Sequence, residues 1–270
     1  MSLDINKKDV EHFQIKIFSW WEKNKRDFPW RKTTDPYEIM VSEFMLQQTQ
    51  ANRVIDKYNS FIGKFPSVQA LAIADPAEII KLWSGLGYNR RALWLHEAAQ
   101  KIGKLGFFPQ TIENLKKLKG IGSYSSRSIL IFAFNLDIAT VDTNIRRILI
   151  TEKFANESSS EKELLGIAHK LVPKNRSRDW HNALMDYASL ELTVTKTGIK
   201  PKTSQSKFEG SNRQLRGKIL KMLTKIQKLN YEEIKNKLEI SDEKIYEIIN
   251  SLKKDKLIDI KEDLISLPGK

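Results

Sequence analysis

The chain has no cysteine among its 270 residues. That excludes disulfides, thiolate zinc sites and cysteine-ligated iron–sulfur clusters. No apolar run approaches the roughly 18 residues of a membrane-spanning helix. The opening Met-Ser-Leu-Asp-Ile-Asn-Lys-Lys is polar and lacks the apolar core of a secretory signal, so an intracellular, cytoplasmic location is expected. Histidine is scarce. His12, His96, His169 and His181 are scattered without metal-ligand spacing, so they read as structural or surface residues and no metal site is expected. Internal repeats and low-complexity tracts do not stand out. Acids are also in deficit: 33 Asp and Glu stand against 46 Lys and Arg, for a net charge of +13. That balance suits a polyanion such as nucleic acid or an anionic membrane, although a lysine-rich proteome would give the same number.

The chain is long enough for one medium domain plus a small one, and 40% hydrophobic residues can fill a core. Helical periodicity runs through the first two thirds. Val10, Phe13, Ile17, Trp20 and Trp21 mark a helix to Asn24. Asp35 and Pro36 suit a helix start that carries on from Tyr37 to Gln48. Further helices are expected over Asn52–Ile62, Pro76–Ser84, Arg90–Lys104, Thr111–Lys117, Ser123–Phe134, Thr143–Thr151, Glu161–Val172 and Asn182–Leu190. Strand signals are weak there, so residues 1–193 read as an all-α core. Residues 194–211, rich in Gly, Pro, Ser and Thr, read as a linker or as a segment ordered against that core. Residues 212–270 promise three short helices (Asn212–Lys225, Tyr231–Leu238, Ser241–Lys254) and a hairpin over Lys256–Leu267. That order suits a winged helix, used for DNA or for protein contact. Acids outnumber the single lysine between Ser241 and Asn250, which weakens the DNA reading of its third helix.

Residues 118–144 are the most informative stretch. Gly120-Ile121-Gly122 joins two helical patterns, and Asp142 follows Gly122 by 20 residues. Glycines let backbone N–H groups approach a phosphate, and the next helix offers its positive end to the same anion. Such a grip holds a nucleic-acid backbone without reading sequence. An acid near it can stabilise positive charge developing on a sugar carbon. Asp142 equally suits the cap of the helix at Thr143, and both roles can coexist.

This segment resembles the helix-hairpin-helix signature of the endonuclease III-like DNA glycosylase superfamily. Pro29-Trp30-Arg31, Asp35-Pro36-Tyr37, Val41 to Gln50 and Trp83-Ser84-Gly85-Leu86-Gly87-Tyr88 are similar to its adenine-specific mismatch (MutY-type) branch. The likeness covers roughly residues 12–192. It implies a two-lobed, all-α helix-hairpin-helix glycosylase core, with Asp142 and the hairpin on one side of a cleft and Glu43 across it, followed by the small winged-helix-like domain. It implies a monomer that hydrolyses the N-glycosidic bond of adenine opposite guanine or 8-oxoguanine in double-stranded DNA during base excision repair, at the nucleoid. Asp142 would stabilise the sugar cation, and Glu43, its pKa raised by an apolar setting, would protonate adenine. Asn144 would hold the sugar or water. Gly120, Gly122 and Ser125 would grip phosphate through backbone N–H groups, with Lys119 nearby and the Ser125 hydroxyl as an additional donor. Arg31, Gln47, Gln48 and Tyr88 would meet the lesion, the glutamines filling the gap of the extruded base and Tyr88 wedging the opposite strand. Tyr124 stands where bifunctional members carry a Schiff-base lysine, so strand cleavage by that route is not expected.

Two departures matter. Most of the family carries a four-cysteine [4Fe–4S] loop after a stretch like Leu184–Glu191. Here Leu192 stands at the first cysteine's place, so no such cluster is expected as a cofactor. Residues 212–270 are also too short and too helical for the Nudix-like domain that reads 8-oxoguanine in typical members. Thymine or uracil removal opposite guanine is the alternative on the same framework, since related thymine mismatch enzymes share Pro-Trp-Arg and a Leu-Met-Asp-aromatic segment. A DNA-binding protein without catalysis is the alternative from another class.

Overall fold

Several helix starts follow from capping side chains. In the computed structural model, which describes residues 6–202 and 207–269, the Asn6 side chain accepts the Asp9 N–H at 2.9 Å and starts α1 (Lys7–Asn24). That is one turn earlier than the apolar spacing suggests, because a cap needs no apolar residue. A 3-10 turn (Pro29–Arg31) follows. Asp35 then accepts the N–H groups of Tyr37 and Glu38 at the head of α2 (Pro36–Leu46). The next helices are α3 (Ala51–Lys64), α4 (Val68–Ala72), α5 (Pro76–Trp83) and α6 (Arg90–Leu105). The short α4, capped by Ser67, was not expected, since five residues show no period. Helices α7 (Ile112–Lys116) and α8 (Ser123–Phe134) flank the glycine turn. They are followed by α9 (Thr143–Thr151), α10 (Glu161–Lys170) with a Ser160/Glu163 capping box, and α11 (Ser177–Leu190). Helix α11 begins five residues before the expected Asn182.

The described chain groups into two compact units. One holds the chain up to Ile39, Gln110–Lys116 and Ile121 to Lys202. The other holds Met40–Pro109, Lys117–Gly120 and Lys207 to Gly269. The first is built on Phe13 and Ile17 of α1, Ile145, Ile148 and Leu149 of α9, and Trp180, Ala183 and Leu184 of α11. Phe13 meets Trp180 edge-on at 5.5 Å. Within this core His181 is buried. Its Nε2 accepts the Thr140 N–H at 3.3 Å and its Nδ1 donates to the Ser177 carbonyl at 2.7 Å, so it is the neutral tautomer. Burial lowers its pKa to about 4. The unfolded chain therefore takes up a proton near pH 6.5 that the fold refuses until about 4, and stability falls as pH drops through that window. Between pH 7.5 and 5 the wild type should lose roughly 2 kcal/mol more than His181→Gln, read from urea midpoints at the two pH values. Equal losses would show that His181 is not the source.

The second unit packs α4 and α5 against α6, and α3 against α5. Its second core joins α13 (Asn212–Leu223), α14 (Tyr231–Leu238), α15 (Asp242–Lys254) and an antiparallel hairpin of β1 (Asp259–Lys261) and β2 (Leu264–Ser266). The hairpin loop Glu262-Asp263 has both residues at positive φ (49° and 62°), as a two-residue turn requires. Three helices and a hairpin are the expected elements in the expected order. Their core is not self-contained: fully buried Ile80 of α5 belongs to it, and Ala77 and Leu93 pack on it. Ile80, 1% exposed, is thereby shared between α5 and this module. No described helix is long and apolar enough to cross a membrane.

Candidate active site

Asp142 caps α9. Its Oδ1 accepts the Ile145 N–H at 2.7 Å, and its Oδ2 accepts Asn144 Nδ2 at 3.0 Å. Burial raises its pKa. The two backbone hydrogen bonds, the Asn144 amide and the Arg147 charge work against that rise without cancelling it. Thus two expected residues, Asp142 and Asn144, form one hydrogen-bonded pair. Behind them stands Arg147, which the sequence reading did not single out. Its Nη1 donates to Asn144 Oδ1 at 3.2 Å and to the Leu192 carbonyl at 3.2 Å, and its Nε reaches the Ile199 carbonyl at 3.4 Å. Its neighbour Arg146 donates to the carbonyls of Lys200 and Glu157. These two buried arginines pin the segment that follows α11. That segment carries a short helix, α12 (Val194–Thr197), capped by Thr193. As far as Lys202 the chain is therefore ordered on the core. The linker residues Thr203, Ser204, Gln205 and Ser206 lie outside the described residues. The spacing of Asn144 and Arg147, three apart on one helix, was the signal available beforehand.

Arg31 is committed inside this unit. Its Nη1 and Nη2 donate to the two oxygens of Asp186 at 2.7 and 2.8 Å, a bidentate pair. Asp186 is 0% exposed and also accepts from Arg26 Nε at 2.6 Å, the Arg26 N–H at 3.1 Å and Trp21 Nε1 at 2.9 Å. Burial pushes this carboxyl up, but Arg31 and Arg26 together hold it below the usual range. Pro-Trp-Arg and Leu-Met-Asp thus meet as one ion cluster.

The glycine turn is tight for a physical reason. Gly120 has φ +84°, and a Cβ there would lie 2.7 Å from Phe44 Cε1 and 3.1 Å from Trp94 Cε3. Gln47 Nε2 donates to the Gly120 carbonyl at 3.2 Å. Gly122 is the extended residue before α8 and is exposed, whereas Ser125 is buried in the first turn. Tyr124 is half-buried, and its carbonyl accepts the Thr140 hydroxyl at 3.5 Å. Exposed Lys119 pairs with Glu97 at 3.1 Å.

Glu43 lies on α2, 7% exposed, with Met40, Val41, Phe44 and Met45 buried beside it in the chain. Just beyond α2, Gln48 is exposed in a left-handed conformation (φ 55°), and Tyr88 takes a similar one (φ 45°) after Gly85-Leu86-Gly87. One side chain ties both turns down. Arg91, 4% exposed, donates through Nη1 to the carbonyls of Phe44 (2.6 Å), Met45 (3.2 Å) and Gln47 (2.6 Å). Through Nη2 it donates to Gly87 (3.0 Å) and Leu86 (3.3 Å). Its Cζ lies 5.6 Å from the Tyr88 ring centroid. Burial lowers the Arg91 pKa to about 10, which leaves it charged at neutral pH. Arg91 was not foreseen, and Gln47 was singled out for its side chain and not for the carbonyl that Arg91 holds. Among the described residues no group of three or more His, Asp or Glu is arranged to hold a metal.

A half-buried carboxylate–amide pair thus stands at the start of α9, and an exposed glycine precedes α8. A family model for the HhH-GPD superfamily base excision DNA repair protein matches residues 41–174. The adenine DNA glycosylase of Mycolicibacterium smegmatis is 33% identical over 232 residues, 77% of this chain and 79% of that one. The human adenine DNA glycosylase is 36% identical over 200 residues, 68% of this chain and 37% of that one. Within the superfamily, the chain belongs to the adenine DNA glycosylase family. A solved structure of a thermostable thymine-DNA glycosylase aligns with TM-score 0.64 and 30% identity, covering 74% of this chain and 93% of that one. An endonuclease III–DNA complex shares the fold at TM-score 0.62 and 16% identity, over 73% of this chain and 90% of that one.

Proposed function

We propose that this protein is a monofunctional adenine DNA glycosylase of base excision repair, acting on adenine opposite guanine or 8-oxoguanine in duplex DNA. The burial of Glu43 carries the reading. A carboxyl held at 7% exposure is shielded from bulk water, as suits a general acid that must hand its proton to a bound base, and adenine is a poor leaving group until its ring is protonated. In this reading Glu43 gives its proton to N7, the C1′–N9 bond breaks with its electron pair leaving on adenine, and Asp142 stabilises the cation at C1′ until water adds. Asn144 holds Asp142 and the incoming water. Gly120, Gly122 and Ser125 offer backbone N–H groups to phosphate beside Lys119. Gln47 and Gln48 fill the space of the extruded base, and Tyr88 wedges the opposite strand. Arg31 serves by fixing its own turn against Asp186. Tyr124 offers no amine, so the abasic strand stays uncut. The protein works as a monomer without a cofactor, in the cytoplasm at the nucleoid, and residues 212–270 are its winged helix.

A second reading, thymine or uracil removal opposite guanine, is favoured by the likeness to the thymine-DNA glycosylase structure. A pyrimidine leaves as an anion and needs less from Glu43. End-labelled duplexes carrying A:8-oxoG, A:G, T:G, U:G and A:T, with and without alkali, separate the two. Alkali-dependent cleavage of A:8-oxoG or A:G, lost in Glu43→Gln, is expected. Cleavage confined to T:G or U:G that survives Glu43→Gln would transfer the protein to the pyrimidine reading.

A further inference from the structure

The C-terminal module reaches the Tyr88 turn through α13 rather than through its third helix. Arg213, in the first turn of α13, lays its guanidinium over the Tyr88 ring with Cζ 5.1 Å from the centroid, and its Nη1 donates to the Tyr88 hydroxyl. The same guanidinium lies 5.3 Å from the Phe208 ring. Both rings face solvent, Tyr88 at 36% and Phe208 at 55% exposure. An arginine within 5.3 Å of two exposed aromatic rings joins the two elements that hold a nucleic-acid strand, a cation for its phosphates and flat apolar faces for its bases. Exposed Lys207 precedes it, and the first turn of α13 carries no acid, so its positive end adds to the same field. Glu209 and the Asn212–Glu247 contact are the opposing polar groups nearby in the chain or on α15.

The position of Arg213 is set by packing. Ile80 is shared with the module's core, and Asp255 is held at once by Arg90 at 3.0 Å and by Arg216 at 2.5 Å. Arg90 stands two residues after Tyr88, so the ion cluster anchors the module at the base of that turn. The third helix is a poor alternative. Helix α15 opens with Asp242 and Glu243, Lys244 is paired with Glu247 at 2.8 Å, and the Tyr246 ring leans on Tyr231 at 5.0 Å. Acids at a helix start repel a phosphate backbone.

We infer that Arg213, with Phe208, is a DNA contact of the C-terminal module, binding the phosphodiester backbone of the strand that faces Tyr88 and holding the Tyr88 ring in place. This rests on the glycosylase reading for which strand Tyr88 meets.

The test uses full-length Arg213→Ala, Arg213→Lys, Phe208→Ala and Tyr246→Ala proteins, each checked for an unchanged thermal midpoint. Two quantities are read: Kd for an A:8-oxoG duplex at several salt concentrations, and the single-turnover rate of base release at saturating enzyme. Arg213→Ala should weaken Kd about tenfold and lower the slope of log K against log salt by about one. Arg213→Lys should recover the slope, Phe208→Ala should lose affinity without changing it, and Tyr246→Ala should do neither. Unchanged affinity and slope in Arg213→Ala, with base release intact in the wild type, would overturn the inference and leave the glycosylase reading standing. Loss of affinity in Tyr246→Ala instead would move the contact to α15 and overturn it equally. If the wild type binds duplex but releases no base while Arg213→Ala still loses affinity, the contact stands and the glycosylase reading falls.

Discussion

Asp142→Asn is expected to lower base release by roughly 10²–10³-fold or more while duplex affinity stays within about twofold or tightens. Asparagine is also a good N-cap, so the bond to the Ile145 N–H and the start of α9 should survive. What disappears is the negative charge, which is the property that stabilises a cation at C1′. Binding should not suffer, because a carboxylate near DNA phosphates repels them. The raised pKa of Asp142 adds a pH dependence: in the proposed mechanism the reactive form is the ionised one, so release should fail on the acid side at a higher pH than an ordinary Asp would give. Single-turnover release rates and Kd from the same preparations provide the check. Parallel loss of binding and release would mean that Asp142 serves only to cap α9.

Asp186→Asn should cost about 3–5 kcal/mol of stability, the range for breaking a buried ion pair from one side. The carboxylate is wholly buried and takes five hydrogen bonds of 3.1 Å or less, from Trp21, Arg26 and Arg31. An amide leaves the Arg31 charge, itself 13% exposed, without its counter-ion. Because the folded pKa of Asp186 is depressed, its contribution is complete above the unfolded value near 4 and fades as pH falls through the folded one. Urea unfolding at pH 7 measures the loss. A loss below about 1 kcal/mol would show that the cluster is dispensable for the fold.

Much of this was legible in the sequence because it depends on residue type. Caps, helical periods, the glycine turn and Asp142 carry their signal locally, and Gly120 is required by a clash that any side chain would meet. Arg147, Arg91 and Arg213 were not legible. Arg91 and Arg147 act largely on backbone carbonyls, and every residue offers one, so nothing in the acceptors' identities points to them. Arg213 acts across 125 positions on a tyrosine whose own role was already assigned. The ordering of residues 194–202 was left open for the same reason, since Arg146 and Arg147 hold it through the carbonyls of Leu192, Ile199 and Lys200.

The Arg91 clamp has a kinetic meaning. The turns bearing Gln48 and Tyr88 hold left-handed residues that a free chain would visit only rarely. One guanidinium locks both turns to the end of α2. The entropy of ordering them is therefore lost once, during folding, and not again at every encounter with a duplex. With Gln48 and Tyr88 in the roles proposed for them, a protein that samples many undamaged sites for each damaged one gains from that arrangement, since each trial begins with these residues already in place.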